Sequence, residues 1–384
     1  MKKITILALH LSYGGVEKAI TNMANMFVDT YEVEIVCTYC LPNTPVYPLD
    51  ERVKVSYLMK DTPNRKAFKE SVRQKQWLNV LKEGLKALKI LFNKKYLLIK
   101  KIRSIDNGIL ISTRNEDSVL VSKYAAKKVY TIAQLHHDHC FKKQYIRDFQ
   151  KKYKNIDVFA LLNNQLCKEV QEMMEGYTKT SCIVIPNFID NIPSEVDVHK
   201  KEAICLAVGR LDPIKGFDRL IKMAAQIVEK YPDWKFEIVG DGEQEEELKA
   251  LIQQYYLENH VLLLGRKNSE EIQELMKKAT IFCMTSYNEG FGIVLVEAMS
   301  CKAASVAFDV RAGPASIIDD EKNGFLVTSE QEFIKKVEDL IENKALCISI
   351  GEEAYQKAKM FSKQEVQQIW HRVLAQADTK ERGL

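Results

Sequence analysis

Glu289 and Glu297 are separated by seven residues within residues 286–301, SYNEGFGIVLVEAMSC. Gly290 and Gly292 bracket Phe291 directly after the first glutamate. The apolar run at 279–285 (ATIFCMT) predicts a buried parallel strand before this segment, and residues 293–299 predict the first turns of a helix after it. A glycine loop between strand and helix presents backbone N–H groups at the helix N-terminus, where a phosphate binds well. One carboxylate in such a loop and another in the helix could each accept hydrogen bonds from sugar hydroxyls. That is the chemistry of a nucleotide-sugar site.

A second loop, VGRLDPIKGFD, carries Gly209, Arg210 and Lys215 around Pro213, just before Gly216. Arginine offers a fork for phosphate oxygens and lysine a point charge, so the two could neutralise a diphosphate leaving group without a metal. Taken alone they also fit two solvated cations around a turn. Near the start, LSYGGVEKAI places Gly14 and Gly15 between a strand and a helix. The pattern is not GxGxxG, so the dinucleotide fingerprint fails, and Glu34 on the second strand is unremarkable. Two glycines still allow close backbone approach to a phosphate or sugar. AQLHHDHC follows another strand with His136, His137, Asp138 and His139. Metal binding lacks a third well-placed ligand there. Hydrogen bonding to a ligand by one histidine and plain surface histidines are the other readings.

These loops need strands to hold them, and the chain supplies them in alternation with helical patterns, the mark of parallel α/β sheets. Strands are expected at 3–9, 32–38, 108–112, 128–133, 157–162 and 182–185. After a polar, unperiodic stretch at 187–203, others are expected at 204–208, 235–239, 261–264, 280–285, 304–307 and 324–327. Every motif above falls at a strand's carboxyl end, where ligands sit in such sheets. The fold expected is α/β, two Rossmann-like parallel-sheet domains facing a central cleft. Residues 1–187 would form the first domain, 188–361 the second, and 362–384 a helix that could pack back on the first.

At 384 residues, 46% hydrophobic and 28% charged, the chain suits two globular domains rather than a disordered or membrane-spanning class. No apolar run approaches the ~20 residues of a membrane-crossing helix. The start, MKKITILALHLSYGG, reads as a first strand and not a signal peptide, because it runs straight into a glycine turn. Nine cysteines are scattered without a metal-binding pattern; Cys37 and Cys40 form a lone CxxC. A reducing cytoplasm is the expected location, with possible attachment to the inner face of a membrane.

Charge is uneven. Residues 1–190 carry 31 Lys and Arg against 19 Asp and Glu, whereas the rest is net acidic. The basic excess is densest at 60–103, where Trp77, Leu78, Leu81, Leu85, Leu88 and Phe92 recur at helical spacing among Lys75, Lys82, Lys86 and Lys89. Three readings stand: a core-facing helix with a solvated lysine face, a segment docking on an anionic membrane, or nucleic-acid binding. No nucleic-acid motif accompanies the charge, so no nucleic-acid partner is expected.

Taken together, the Glu289–Glu297 segment, VGRLDPIKGFD, VGDGEQEEEL, LLGR and NGFLV stand in an order and spacing that resembles retaining glycosyltransferases of family 4, with the GT-B fold. The first half matches only through GGVEK and a histidine after a strand. The resemblance implies that Arg210 and Lys215 hold the donor diphosphate, with Gly209 in the same donor-binding loop. Glu289 would bind the transferred sugar, with the amides of Gly290, Phe291 and Gly292 near sugar and phosphate. Glu297 would bind the ribose, and Arg266 and Lys267 would contact the base. Gly14 and Gly15 would lie by the diphosphate and acceptor, and His136 by the donor sugar. Where related enzymes often carry an acid after the glycine-proline turn, this chain has Gly313-Pro314-Ala315-Ser316.

The function expected is transfer of a hexose, with retention and without a metal, from a nucleotide diphosphate sugar, a UDP-hexose, to a lipid-linked saccharide or cell-envelope glycan. No cofactor is expected beyond that co-substrate. Two rivals remain: a nucleotide-sugar epimerase or hydrolase of the same fold, and a non-catalytic partner subunit. The intact Arg210, Lys215, Glu289 and Glu297 weigh against the second.

Overall fold

Continuous apolar runs become the inner strands of two all-parallel sheets. The structure is a computed structural model that describes residues 1–60 and 62–381, without the side chains of 65–66 and 378–381. Contacts divide it into two units: Met1–Leu161 with Cys167–Val184 and the chain from Trp370 onward, and Leu162–Leu166 with Ile185–Ile369.

The first unit runs β1 (Lys3–Ala8), α1 (Gly15–Phe27), β2 (Glu32–Tyr39), β3 (Lys54–Met59), α2 (Arg65–Arg73), α3 (Trp77–Arg103), β4 (Ile109–Ser112) and α4 (Asn115–Tyr124). It continues with β5 (Tyr130–Leu135), α5 (Lys143–Lys152), β6 (Val158–Leu161), α6 (Asn164–Met174) and β7 (Ser181–Val184). The sheet order is β3-β2-β1-β4-β5-β6-β7. Strands β4 and β5 are buried throughout, as expected for parallel strands covered on both faces. β3 is the strand without a counterpart in the expected set. It is the sheet edge, half-buried and beginning with an exposed lysine, so its sequence has no uniformly apolar run.

The second unit holds β8 (Glu202–Val208), α7 (Phe217–Lys230), β9 (Lys235–Val239), α8 (Glu245–Gln254), β10 (Val261–Gly265), α9 (Ser269–Lys278), β11 (Ala279–Met284) and α10 (Ile293–Ser300). It then has β12 (Ala304–Phe308), β13 (Phe325–Val327), α11 (Glu330–Glu342), α12 (Lys344–Ala358) and the start of α13 (Lys363–Glu381). The sheet order is β10-β9-β8-β11-β12-β13. One face packs Phe236 and Ile238 against Phe217, Leu220 and Ile221, and the other packs Leu206 and Phe282 against Leu295 and Met299. Each such side chain, fully buried, contributes about 1.5–3 kcal/mol relative to exposure.

The polar stretch after residue 187 is not loose at its start. Phe188 and Ile189 are buried, and Ile189 pairs with Ser362, its N–H donating to the Phe361 carbonyl at 3.0 Å. In the first unit, the buried Trp370 of α13 meets Phe27 edge-on at 5.2 Å, and Tyr130 Oη donates to Gln376 Oε1 at 3.0 Å. Glu34 also proves to be more than an ordinary strand residue. Its buried carboxylate meets Lys3 at 2.8 Å, Lys101 at 2.7 Å and the Ser56 hydroxyl at 2.9 Å, tying α3 to the edge of the sheet.

Candidate functional site

Both sheets reverse direction of winding beside their first strand, between β1 and β4 and between β8 and β11. At such a point the loops leaving two neighbouring strands diverge and open a crevice. In the second unit, the two loops that leave the reversal are those carrying Lys215 and Glu289. Topology alone therefore brings together two motifs 74 residues apart.

Lys215 Nζ lies 2.5 Å from Glu289 Oε2, with Ser286 Oγ 3.4 Å from the same oxygen. A short turn over Pro213–Lys215 presents the lysine. Asp212 caps that turn by accepting from the Ile214 N–H at 3.1 Å. Gly216 ends it at φ 64°, where a Cβ would stand 2.1 Å from the Thr285 carbonyl oxygen. The lysine loop and the glutamate loop thus touch backbone to backbone, and only glycine fits between them. The Tyr287 N–H donates to the Ile214 carbonyl at 2.7 Å and Thr285 Oγ1 donates to the Lys215 carbonyl at 3.1 Å, which fixes the same contact.

Arg219 completes the clamp. Its guanidinium donates to the Thr285 carbonyl at 2.7 Å and the Ser286 carbonyl at 2.6 Å, with its centre 3.5 Å from the Phe308 ring centroid and 4.2 Å from that of Tyr287. Burial lowers its pKa, and the two carbonyls and two ring faces give the charge its local partners. The sequence reading missed Arg219. Its signal was a cation among Phe217, Leu220 and Ile221, on the face of α7 that enters the core.

The remaining residues of the expected donor set lie in the same unit. Arg210 is exposed and pairs with Asp212. Gly209 runs so close to the β9 loop that a Cβ on Gly240, at φ 147°, would stand 1.9 Å from the Gly209 carbonyl oxygen. Gly290 and the buried Phe291 lead to Gly292, which caps the N-terminus of α10 at φ 93°. The Phe291 ring packs edge-on against Phe361 at 5.6 Å, anchoring the loop. Glu289 also pairs with Ala312, and a Cβ on Gly313 would lie 2.6 Å from the Glu289 carbonyl, so the 312–313 backbone backs the acidic loop. Glu297 is half-buried on α10. Arg266 pairs with Asp241, and Lys267 with Glu271 at 3.3 Å, just beyond β10.

In the first unit, Gly14 and Gly15 open α1, and the Gly14 N–H donates to Tyr47 Oη at 3.3 Å. His10 sits beside them with Nδ1 3.5 Å from Glu17 and accepting from the Ser12 N–H at 3.3 Å; burial and the charge of Arg114 lower its pKa. His136 is buried directly after β5, its Nε2 3.4 Å from Gln134 Oε1. His137 meets Tyr145 Oη at 2.6 Å, while His139 is fully buried against Glu169 at 3.2 Å and Phe149. The histidine run is thus spread over separate partners. Among the described residues no three His, Cys, Asp or Glu are grouped to hold a metal ion.

Residues 188–357, most of the second unit, match the family model of glycosyl transferases group 1. Over nearly its whole length the chain is 24% identical to an uncharacterized glycosyltransferase of Haemophilus influenzae, covering 97% of this chain and 100% of the relative. It is also 24% identical, over 98% of this chain and 99% of the relative, to a Campylobacter jejuni protein. That protein is named GalNAc-alpha-(1->4)-GalNAc-alpha-(1->3)-diNAcBac-PP-undecaprenol alpha-1,4-N-acetyl-D-galactosaminyltransferase. Several other curated relatives are matched over only 40–54% of their own length. Among solved structures, an S. aureus TarM mutant in complex with fondaparinux, α-GlcNAc-glycerol and UDP superposes with a TM-score of 0.76 at 18% identity, covering 97% of this chain and 100% of that one. The match over residues 188–357 is thus to a glycosyltransferase family model, and the two Rossmann-like sheets are those of the GT-B fold.

Proposed function

We propose that the chain is a retaining, family 4 glycosyltransferase that moves a hexose from a UDP-sugar to a lipid-linked saccharide or cell-envelope glycan, without a metal ion. The observation that carries this reading is the contact of Lys215 with Glu289 at the sheet's reversal point, 2.5 Å between a cation and a carboxylate. A nucleotide sugar presents the complementary pair, an anionic diphosphate joined to a polyhydroxylated ring. The wider reading draws support from relatives: the Campylobacter protein is named for an undecaprenol-linked glycan, and the TarM structure contains UDP.

In this reading Lys215 and Arg210 turn from their acidic neighbours to the diphosphate, and Glu289 accepts hydrogen bonds from the sugar. Glu297 binds the ribose, the Gly290–Gly292 backbone and the start of α10 lie by sugar and phosphate, and the segment at Arg266–Lys267 contacts the base. Gly209 lets the loop backbone approach the diphosphate. Gly14, Gly15 and His136 are assigned to diphosphate, acceptor and donor sugar as the resemblance implies. As the bond from the anomeric carbon to the phosphate oxygen breaks, the acceptor oxygen bonds to that carbon from the same face. The departing phosphate oxygen takes the acceptor's proton. Charge stabilisation by fixed cations and positioning supply the rate.

The test is turnover with UDP-hexoses and an undecaprenyl-diphosphate-linked saccharide, in chelator, with the product's anomeric configuration read by NMR. An α-linked product from an α-linked donor is expected. An inverted product, loss of activity in chelator, or free sugar or an epimer released without acceptor would each contradict the reading.

A further inference from the structure

The helix α3 is apolar on two opposite sides. One side is anchored: Ile90, Leu98 and Ile102 are buried, Lys101 meets Glu34 at 2.7 Å, and Lys94 meets Glu116 at 2.9 Å. The helix α2 lies against its first half, with Asn64 Nδ2 donating to the Glu83 carboxylate at 2.6 Å and the Phe68 ring near Gly84. The other side carries Trp77, Leu81, Leu85, Leu88, Phe92 and Tyr96 at steps of three or four residues. All are exposed, Trp77 by 76% and Phe92 by 73%, and Leu78 beside them by 86%. Of the three readings of this stripe, the core-facing one therefore fails. These apolar residues face solvent, and the core contacts are made by the opposite side. The row from Trp77 to Tyr96 is roughly 30 Å long at the rise of an α-helix.

An apolar row of this size on a surface calls for a covering partner. Its flank identifies which. Lys82, Lys86 and Lys89 each directly follow a leucine of the row, so they line one edge of it, and all three are exposed. Among the described residues none of the three is ion-paired, and the one glutamate in the first half of the helix, Glu83, is turned to Asn64. A second copy stacked on the row would bring lysine edges together with no acid to meet them. A surface that is apolar inside and negative at its rim fits instead. Trp77 and Tyr96, both exposed in the row, carry the amphipathic rings that suit the polar–apolar boundary of a bilayer. We infer that this side of α3 is an interfacial helix that lies on an anionic lipid surface, its apolar row among the acyl chains and its lysines at the headgroups. The inference is independent of the donor chemistry and of the acceptor.

The experiment is co-sedimentation of the full chain with phosphatidylcholine vesicles, with and without phosphatidylglycerol, together with tryptophan fluorescence. Trp370 is buried and Trp234 half-buried, so a blue shift on adding vesicles reports mainly Trp77, and Trp77→Phe should abolish it. Binding is expected only with phosphatidylglycerol and should weaken with salt. The triple change Lys82→Gln, Lys86→Gln, Lys89→Gln should weaken it about a hundredfold, about fivefold per charge. Leu81→Glu with Leu88→Glu should abolish it while leaving thermal melting unchanged, since both side chains are exposed. No vesicle binding by the wild type, or binding undiminished in the leucine variant, would overturn the inference. So would a dimer of the wild type that the leucine variant dissolves, because a second copy would then cover the row. If the leucine variant fails to fold, the lysine variant and the Trp77 signal decide the question.

Discussion

Lys215 and Glu289 hold each other at the sheet's reversal point, and in the proposed reading each is the group its partner would give up to a donor. If Lys215 neutralises charge on a departing diphosphate, Lys215→Ala should lower kcat by roughly 10²–10³-fold, the scale of losing one transition-state donor. Its melting temperature should stay near wild type, which calorimetry checks. Activity within a few fold of wild type would remove the lysine from the chemistry. Arg219 acts one layer behind. Arg219→Ala strands two buried carbonyls, at a cost of about 1–3 kcal/mol, and frees the loop before Glu289. Both a lower melting temperature and a lower kcat are expected, and Arg219→Lys should restore little because an ammonium cannot fork to two carbonyls. A purely structural role would lower the melting temperature and leave kcat per folded enzyme unchanged. The two residues also differ in legibility. Lys215 and Glu289 stand in motifs whose residue types announce a ligand. Arg219 looks like any helical cation until the Thr285 and Ser286 carbonyls are brought to it from 66 and 67 residues away.

Strands and helices were readable to the extent that burial imposed a pattern. The inner strands β4, β6 and β11 are largely apolar runs, and their positions follow from that. The edge strand β3 mixes Lys54, Ser56 and Tyr57 with apolar residues, so the run is broken. In α3 the periodicity was correctly seen as helical, but period cannot say which of two apolar sides meets the core. The buried Ile90, Leu98 and Ile102 mark that side, and Glu34, a buried acid whose partners are distant in sequence, ties Lys101 to it. Burial alone would raise its pKa, yet hydrogen bonds from Lys101, Lys3 and Ser56 outweigh it and hold the carboxyl at about 2. A carboxyl depressed below its unfolded value of ~4.5 stabilises the fold above that pH, and the contribution is lost as pH falls toward 2. Glu34→Gln should therefore lower stability at pH 7 and lose this penalty progressively as the pH is taken from about 4.5 toward 2. Urea titrations across that range check it, and equal destabilisation at pH 7 and pH 2 would mean the charge is not what holds α3.

Across the whole chain, legibility follows the kind of ligand each unit would serve. The second unit carries dense motifs and the family match over 188–357, since a phosphate and a sugar can be bound only by a few residue types in tight loops. The first unit, where residues 1–190 hold the basic excess, offers one glycine pair and a buried histidine, and its loops spell out no acceptor. Binding of a UDP-sugar by the second unit through Lys215 and Glu289 underlies every role proposed for the site. Thermal shift of the full chain with UDP-, GDP-, ADP- and dTDP-sugars in chelator, wild type beside Lys215→Ala, reads that binding. A donor at a hundred times its Kd contributes about 2.7 kcal/mol to the folded state. A clear rise in Tm is expected with a UDP-hexose alone, greatly reduced in Lys215→Ala. No shift with any nucleotide sugar, or a shift the lysine variant retains in full, would contradict it.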